Sequence, residues 1–174
     1  MNPMNPPTPH WTARPETTAD IDAVREIVLA AFETPLEADL VDALRTDAAW
    51  VDGLSYITTD TTDEPIGYAL LTRCHIDDVP ALCLAPVAVH PDHQRTGAGG
   101  TAIRAALAAA ADQGERFVTV LGHPDYYPRF GFTQASAHGI GVPFEVPDEA
   151  LMALSLNADP LPAGTIHYAK AFGI

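Results

Sequence analysis

The chain is poor in positive charge. Its 174 residues include nine lysines and arginines against 23 aspartates and glutamates, a formal net charge of −14, and Lys170 is the only lysine. Binding to a phosphate backbone or docking on an anionic membrane requires basic surface, so neither nucleic acid nor membrane is an expected partner. Cysteine is equally scarce. Cys74 and Cys83 cannot form a disulfide framework, and with no Cys-x-x-Cys or His-Glu-x-x-His spacing no metal site is indicated; His90 and His93 alone do not specify one. No lysine follows a glycine loop, which excludes a Walker-type phosphate site. Apolar runs are too short for a membrane helix, and residues 1–10 hold four prolines with no apolar core, so a disordered tail is expected there rather than a leader or anchor.

What is present points to one globular domain over 11–174 in the cytoplasm. Hydrophobic residues make up 47% and charged residues 18%, with mean hydropathy +0.04, a balance that suits a soluble folded domain rather than a disordered chain. The acid is uneven: 15 acidic residues face four arginines up to residue 78 (net −11), and 8 face 5 basic residues beyond it (net −3). A solvated surface accounts for this first; attraction of a cationic ligand is the sharper reading.

Residues 17–32 carry apolar side chains at helical spacing, with Thr17 and Asp20 as a capping box, and a second helical stretch covers 36–44. Strands are expected at 55–59, 66–74, 81–90 and 117–121, with late ones at 151–156 and 165–169. Pro86 lacks an amide hydrogen, so it should bulge its strand and loosen pairing on one side. An alanine-rich helix should run from Gly97 to Gln113 and end at Gly114. The pattern predicts an α+β (mixed α/β) fold with antiparallel hairpins first and one strand–helix–strand unit in the middle.

The chemically richest segment is His90-Pro-Asp-His-Gln-Arg-Thr-Gly-Ala-Gly-Gly-Thr, between an apolar strand and that helix. Amides at a helix N-terminus, approached closely because Gly97, Gly99 and Gly100 have no side chains, form a cradle for phosphate oxygens, and Arg95 adds a full charge. Gly97 to Ala102 also fits a dinucleotide-binding pattern, but the tight turn and upstream parallel unit are missing.

With Gln94, Gly97 and Gly99 spaced in this way after LAPVAVHPDHQ, with HPDYYPRFGF at 123–132 and with PFEVPDEALMALSL at 143–156, the sequence resembles the GNAT superfamily of N-acetyltransferases, in its YhbS-like branch. The resemblance implies a central, mostly antiparallel twisted sheet with a splayed strand pair, flanked by helices. It implies acetyl-CoA as cosubstrate, a small-molecule or peptide primary amine as acceptor, possible cationic character in that acceptor, and direct transfer in a ternary complex. Val87, Ala88 and Val89 would offer main-chain groups to pantetheine, and Gln94, Arg95, Thr96, Gly97, Ala98, Gly99, Gly100 and Thr101 would form the pyrophosphate site. Tyr127 aligns with the family's general acid. His123 is the first candidate for general base, and His75 with Asp77 and Asp78 the second. An asparagine common upstream of the tyrosine has no counterpart in Val120 to Asp125. Cys83 lacks an activating partner, which disfavours an acetyl-enzyme. A non-catalytic acyl-CoA sensor and a dinucleotide oxidoreductase are the alternatives, and a homodimer is possible.

Overall fold

The computed structural model describes residues 10–174; the expected tail lies, except for His10, outside them. Strand β1 (Thr12–Pro15) leads into a 3-10 turn (Thr18–Asp20) and helix α1 (Ile21–Ala31), followed by α2 (Leu36–Leu44). Strands β2 (Trp50–Thr59), β3 (Pro65–Ile76) and β4 (Val79–Val89) form a meander; α3 (Ala98–Asp112) and β5 (Phe117–Leu121) complete the central unit. Short strands β6 (Thr133–Gln134) and β7 (Ile140–Gly141), then β8 (Leu151–Ser155) and β9 (Gly164–His167), close the chain. The sheet order is β1-β2-β3-β4-β5-β8-β6, with β9 joining β3 and β7 joining β9; β4–β5 and β7–β9 are parallel and the other pairs antiparallel.

The capping box expected at Thr17 and Asp20 forms and opens the 3-10 turn, and α1 follows from Ile21, four residues later than the helix expected from residue 17. Asp20 accepts hydrogen bonds from the Thr17 amide (2.8 Å) and hydroxyl (2.9 Å), and Arg14 donates to both its oxygens at 2.8 and 3.0 Å. This satisfies donors that would otherwise be orphaned at the helix start. The Arg14 hydrogen bond, with those from Thr17, holds the buried Asp20 carboxyl at about 2, against desolvation.

Alternation along the strands separates two layers. Ala69, Leu71, Leu82 and Leu84 pack with Ala102, Ile103 and Ala106 of α3. Tyr68 and Leu70, one residue out of phase, pack with Val24, Val28, Val41 and Leu44 of α1 and α2. Alanines on the buried face of α3 bring its backbone close to the sheet. Leu82 and Ile103 are fully buried, and truncating either to alanine costs about 2–5 kcal/mol. Toward the C-terminal half, Ala81 and Cys83 pack with Phe117, Ile140, Leu151 and Ile166 on the face away from α3.

The expected bulge occurs at Pro86. Ala69 faces Val87 while Leu71 faces Leu84, so β4 spends one extra residue there. The inserted residue reverses the facing of side chains: Leu82, Leu84 and Val87 all face α3, and Ala88 faces α1 and α2. Strand β2 begins five residues earlier than its sequence suggests. Asp52 and Gly53 are turn formers, but Gly53 adopts φ +83° within an irregular stretch between the Trp50 and Ser55 pairings and lets the strand continue.

Candidate active site

Strands β4 and β5 pair only at Leu82–Val118 and Cys83–Thr119. Beyond that point β5 remains bonded to β8 and β4 to β3, so a V-shaped opening is left between two strands that are each held from outside. The His90 amide donates to Ile66 on β3 at 2.9 Å. In an antiparallel ladder main-chain groups alternate sides, so His90 and Ala88 face β3, while Val87 presents its N–H and C=O, and Val89 its N–H, to the opening. Ala88 therefore serves packing, with its main chain spent on β3.

At the wide end of the opening lies the glycine loop. Arg95 (φ +64°) and Gly97 (φ +88°) are both left-handed, which turns the chain sharply into α3 at Ala98. Gln94 braces this turn by donating to the Val89 carbonyl at 3.3 Å. Trp11 donates to the Thr96 carbonyl at 3.0 Å, and the Thr96 hydroxyl to the carbonyl of His93. From β2, Thr58 donates to the Ala98 carbonyl at 2.6 Å. The amides of Ala98, Gly99 and Gly100 stand in the first turn, where helices have no internal acceptor. Thr101 spends both its amide and its hydroxyl on the Gly97 carbonyl, each at 3.0 Å, so the cradle closes at Gly100 and the expectation for Thr101 is corrected. A Cβ on Gly99 would stand 3.1 Å from Val89 Cγ2 and 3.3 Å from Tyr126 Oη, so the loop needs glycine there for close approach.

The aromatic cluster fills the other wall. Pro128 at the second position sets a short 3-10 helix, Tyr127–Phe130, as its chemistry leads one to expect. Tyr127 shares the α3-side core with Leu84, Ile103 and Val120. Its ring lies so close to Gly122 that a Cβ there would stand 2.5 Å from Cε2. Its hydroxyl has no hydrogen-bond partner among the described residues. Burial pushes the phenol up to about 12, with smaller contributions from Tyr126 and Cys83. Tyr126 stacks edge-on against Tyr127 at 5.1 Å and brings its hydroxyl to the mouth of the glycine loop. Arg129 lies 4.5 Å over the Tyr126 ring and Arg104 4.7 Å over Phe130. With Arg95, a third of the chain's nine basic residues therefore belongs to the glycine loop, the helix it opens and the aromatic wall beside it.

Other sequence candidates are placed differently. His123 ends exposed just past β5; its carbonyl accepts from the Tyr126 and Tyr127 amides at 3.1 and 3.4 Å, and no described residue hydrogen-bonds its ring. His75, Asp77 and Asp78 sit at the β3–β4 turn, at the opposite end of β4 from the glycine loop; Asp77 accepts from the Thr165 amide at 2.9 Å, a structural task. Cys83 is fully enclosed at the point of the V, and burial raises its thiol well above the usual range. Sequence reasoning missed Thr58, Trp11 and Tyr126, because the first two reach the loop from 40 and 85 residues away in the chain, and Tyr126 looks like packing until Gly99 is placed beside it.

The parted parallel strand pair stands beside the amide cradle, and residues 21–132 match the acetyltransferase (GNAT) family, a class of acyltransferases. The chain belongs to the GNAT family of N-acetyltransferases, in its YhbS-like branch. It is 35% identical over 160 residues to the N-acetyltransferase YjhQ of Escherichia coli K12, covering 87% of this chain and 88% of that protein. The crystal structure of Escherichia coli YhbS in complex with CoA superposes with a TM-score of 0.88 at 25% identity, over 98% of this chain and 96% of that one. A GNAT acetyltransferase from Brucella melitensis in complex with acetyl-CoA gives a TM-score of 0.77 at 28% identity, over 94% and 98%.

Proposed function

We propose that the protein transfers an acetyl group from acetyl-CoA directly to a primary amine in a ternary complex. The observation that carries this reading is the parting of β4 and β5 after Cys83 next to the amides of Ala98 to Gly100. The amides from Arg95 to Gly100 hold the pyrophosphate, and Gln94 keeps the loop in register. Val87 and Val89 bond the pantetheine amides as a neighbouring strand would. These interactions fix the thioester relative to the sheet, so that reaction geometry is set before the amine arrives.

The chemistry requires a proton to leave the ammonium and the departing thiolate to be stabilised. Tyr127 stays protonated throughout the working pH range and donates a hydrogen bond toward the sulfur. The ammonium, in contact with solvent, gives up one proton to water before it attacks; as the C–N bond forms and the C–S bond breaks, the second proton leaves the nitrogen through water and the thiolate is reprotonated from solvent, so no dedicated base is required. An acetyl-enzyme on Cys83 is disfavoured because a thiolate is costly in that dry environment.

The test combines calorimetry with acetyl-CoA and a thiol-release assay across amino acids, peptides, polyamines and simple amines. Saturable acetyl-CoA binding with amine-dependent thiol release is expected. Tight binding without turnover on any amine would mark a sensing module, and binding of NAD without CoA would overturn the reading altogether.

A further inference from the structure

The glycine loop is held from outside by a residue 85 positions earlier in the chain. Trp11, just ahead of β1, donates its indole N–H to the Thr96 carbonyl at 3.0 Å and sets its ring edge-on against that of His93, centroids 5.6 Å apart at 85°. It therefore grips the loop at two points. Its own place is fixed by the sheet: β1 pairs with β2 from Thr12 and Thr59 onward, and Thr58, which pairs with Ala13, donates to the Ala98 carbonyl at 2.6 Å. The sheet edge, the loop and the start of α3 are thus bonded to one another.

The Thr96 carbonyl decides where α3 begins. In a helix each carbonyl accepts from the amide four residues on, so a helix wound back past Gly97 would bond the Gly100 amide to Thr96. The indole occupies that carbonyl instead, and the first amide to close a helical bond is that of Thr101, on Gly97 at 3.0 Å. The Gly100 N–H is left without an acceptor among the described residues. Arg95 makes the restraint necessary. It carries a side chain at φ +64°, a left-handed conformation whose cost a right-handed turn would release, and such residues persist only where their surroundings over-determine them. Gln94 and Thr96 bond to the Val89 and His93 carbonyls, whereas Trp11 acts on the Thr96 carbonyl itself, the acceptor that a longer helix would need.

We infer that Trp11 is a positioning residue for coenzyme binding: by occupying the Thr96 carbonyl it keeps α3 from winding back and holds the Gly100 amide open to a phosphate oxygen. It acts through the loop and needs no contact with the phosphate. The amide is then unspent when the anion arrives, and no helical bond has to break first. The inference rests on the acetyltransferase reading above for the identity of that anion.

The experiment uses the full chain and three variants: Trp11→Phe, which keeps a ring against His93 and removes the donor; Arg95→Gly, which removes the cost of the left-handed turn; and the double variant. Calorimetry measures acetyl-CoA affinity on each. In the ligand-free proteins nuclear magnetic resonance follows the Gly100 amide proton with temperature, a shift that is steep for an amide bonded to water and shallow for one bonded within the fold. Trp11→Phe is expected to weaken acetyl-CoA binding about three- to tenfold, within the range of one neutral hydrogen bond, and to turn the Gly100 response from steep to shallow. In the Arg95→Gly background the same substitution should cost less than about twofold, because glycine adopts the left-handed turn without restraint. Equal acetyl-CoA affinity of the wild type and Trp11→Phe, an unaltered Gly100 response, or an undiminished loss in the Arg95→Gly background would each overturn the role of Trp11. Absence of acetyl-CoA binding to the wild type would instead overturn the acetyltransferase reading, and the Gly100 measurement, which needs no ligand, would still decide whether Trp11 holds the loop.

Discussion

Replacing Tyr127 with phenylalanine removes one oxygen from the α3 side of the strand opening and leaves the ring that fills it. The phenol sits at about 12 because it is buried, whereas an ordinary thiol titrates near roughly 8.5. Complete proton transfer from this phenol to a free thiolate is thus uphill by about 3.5 units, or ~5 kcal/mol. The useful contribution is therefore a hydrogen bond that strengthens as negative charge gathers on sulfur, and bonds to charged groups contribute about 1.5–3 kcal/mol. This converts to a fall in kcat of about 10- to 150-fold. Thiol release at saturating amine and acetyl-CoA measures it, and calorimetry should find the same acetyl-CoA affinity as in the wild type. Stability should hold or rise slightly, since the lost hydroxyl bonds to no described residue. The wild-type profile should also show no descending limb from this group below about pH 11. A change in kcat of less than about threefold, or a loss that appears in acetyl-CoA affinity instead, would refute the reasoning.

Three other outcomes follow from features described above. Gly97→Ala forces an L-residue to φ +88°, costing about 1–2 kcal/mol in thermal or urea unfolding, and should weaken acetyl-CoA binding several-fold. Gly114→Ala is the matched control: φ is +85° with open space around a new Cβ in both cases, so stability should fall equally while binding stays intact. The folded-state value of Asp20 at about 2 lies below its unfolded value near roughly 3.9. The stabilisation it confers is therefore present above about pH 4 and lost as pH falls through 2, amounting to about 2.6 kcal/mol. Urea midpoints between pH 2 and 6 should show this component in the wild type and lack it in Asp20→Asn. Cys74, raised to about 11, and Cys83, raised well above the usual thiol range by burial, should resist alkylation at neutral pH in the folded protein, and rapid-mixing kinetics should reveal no acetylated enzyme or burst.

Much of this arrangement could be read before any coordinates, where local chemistry dictates local structure. Helix α2 falls at 36–44 as its periodicity predicts, the α3 boundaries are within a residue of expectation, and Pro86 produces the bulge that a missing amide hydrogen requires. The glycine loop was legible because left-handed backbone and close approach leave a mark on composition. What escaped depends on contacts between distant segments. Strand β1 contains Pro15 and is only four residues long; it exists because β2 offers it an edge. Strands β6 and β7 have two residues each, too few to show a period. The capture of Thr101 by Gly97 needed the helix start fixed to the residue, and the distinction between Ala88 and its neighbours needed the phase of the ladder. The approach of Phe144 to Tyr168, ring centroids 6.3 Å apart, was hidden for the same reason, since the two become neighbours only after β9 returns to β3.

The parting of β5 from β4 leaves one strand with two kinds of amide hydrogen in alternation. Those of Ala88 and His90 are held by β3, whereas those of Val87 and Val89 open into the V. In deuterated solvent the free protein should therefore exchange along this strand in a slow–fast pattern with a two-residue period, where an interior strand would be slow throughout. Occupation by an extended ligand would erase the pattern without adding secondary structure, so the strand itself reports whether its missing neighbour has arrived.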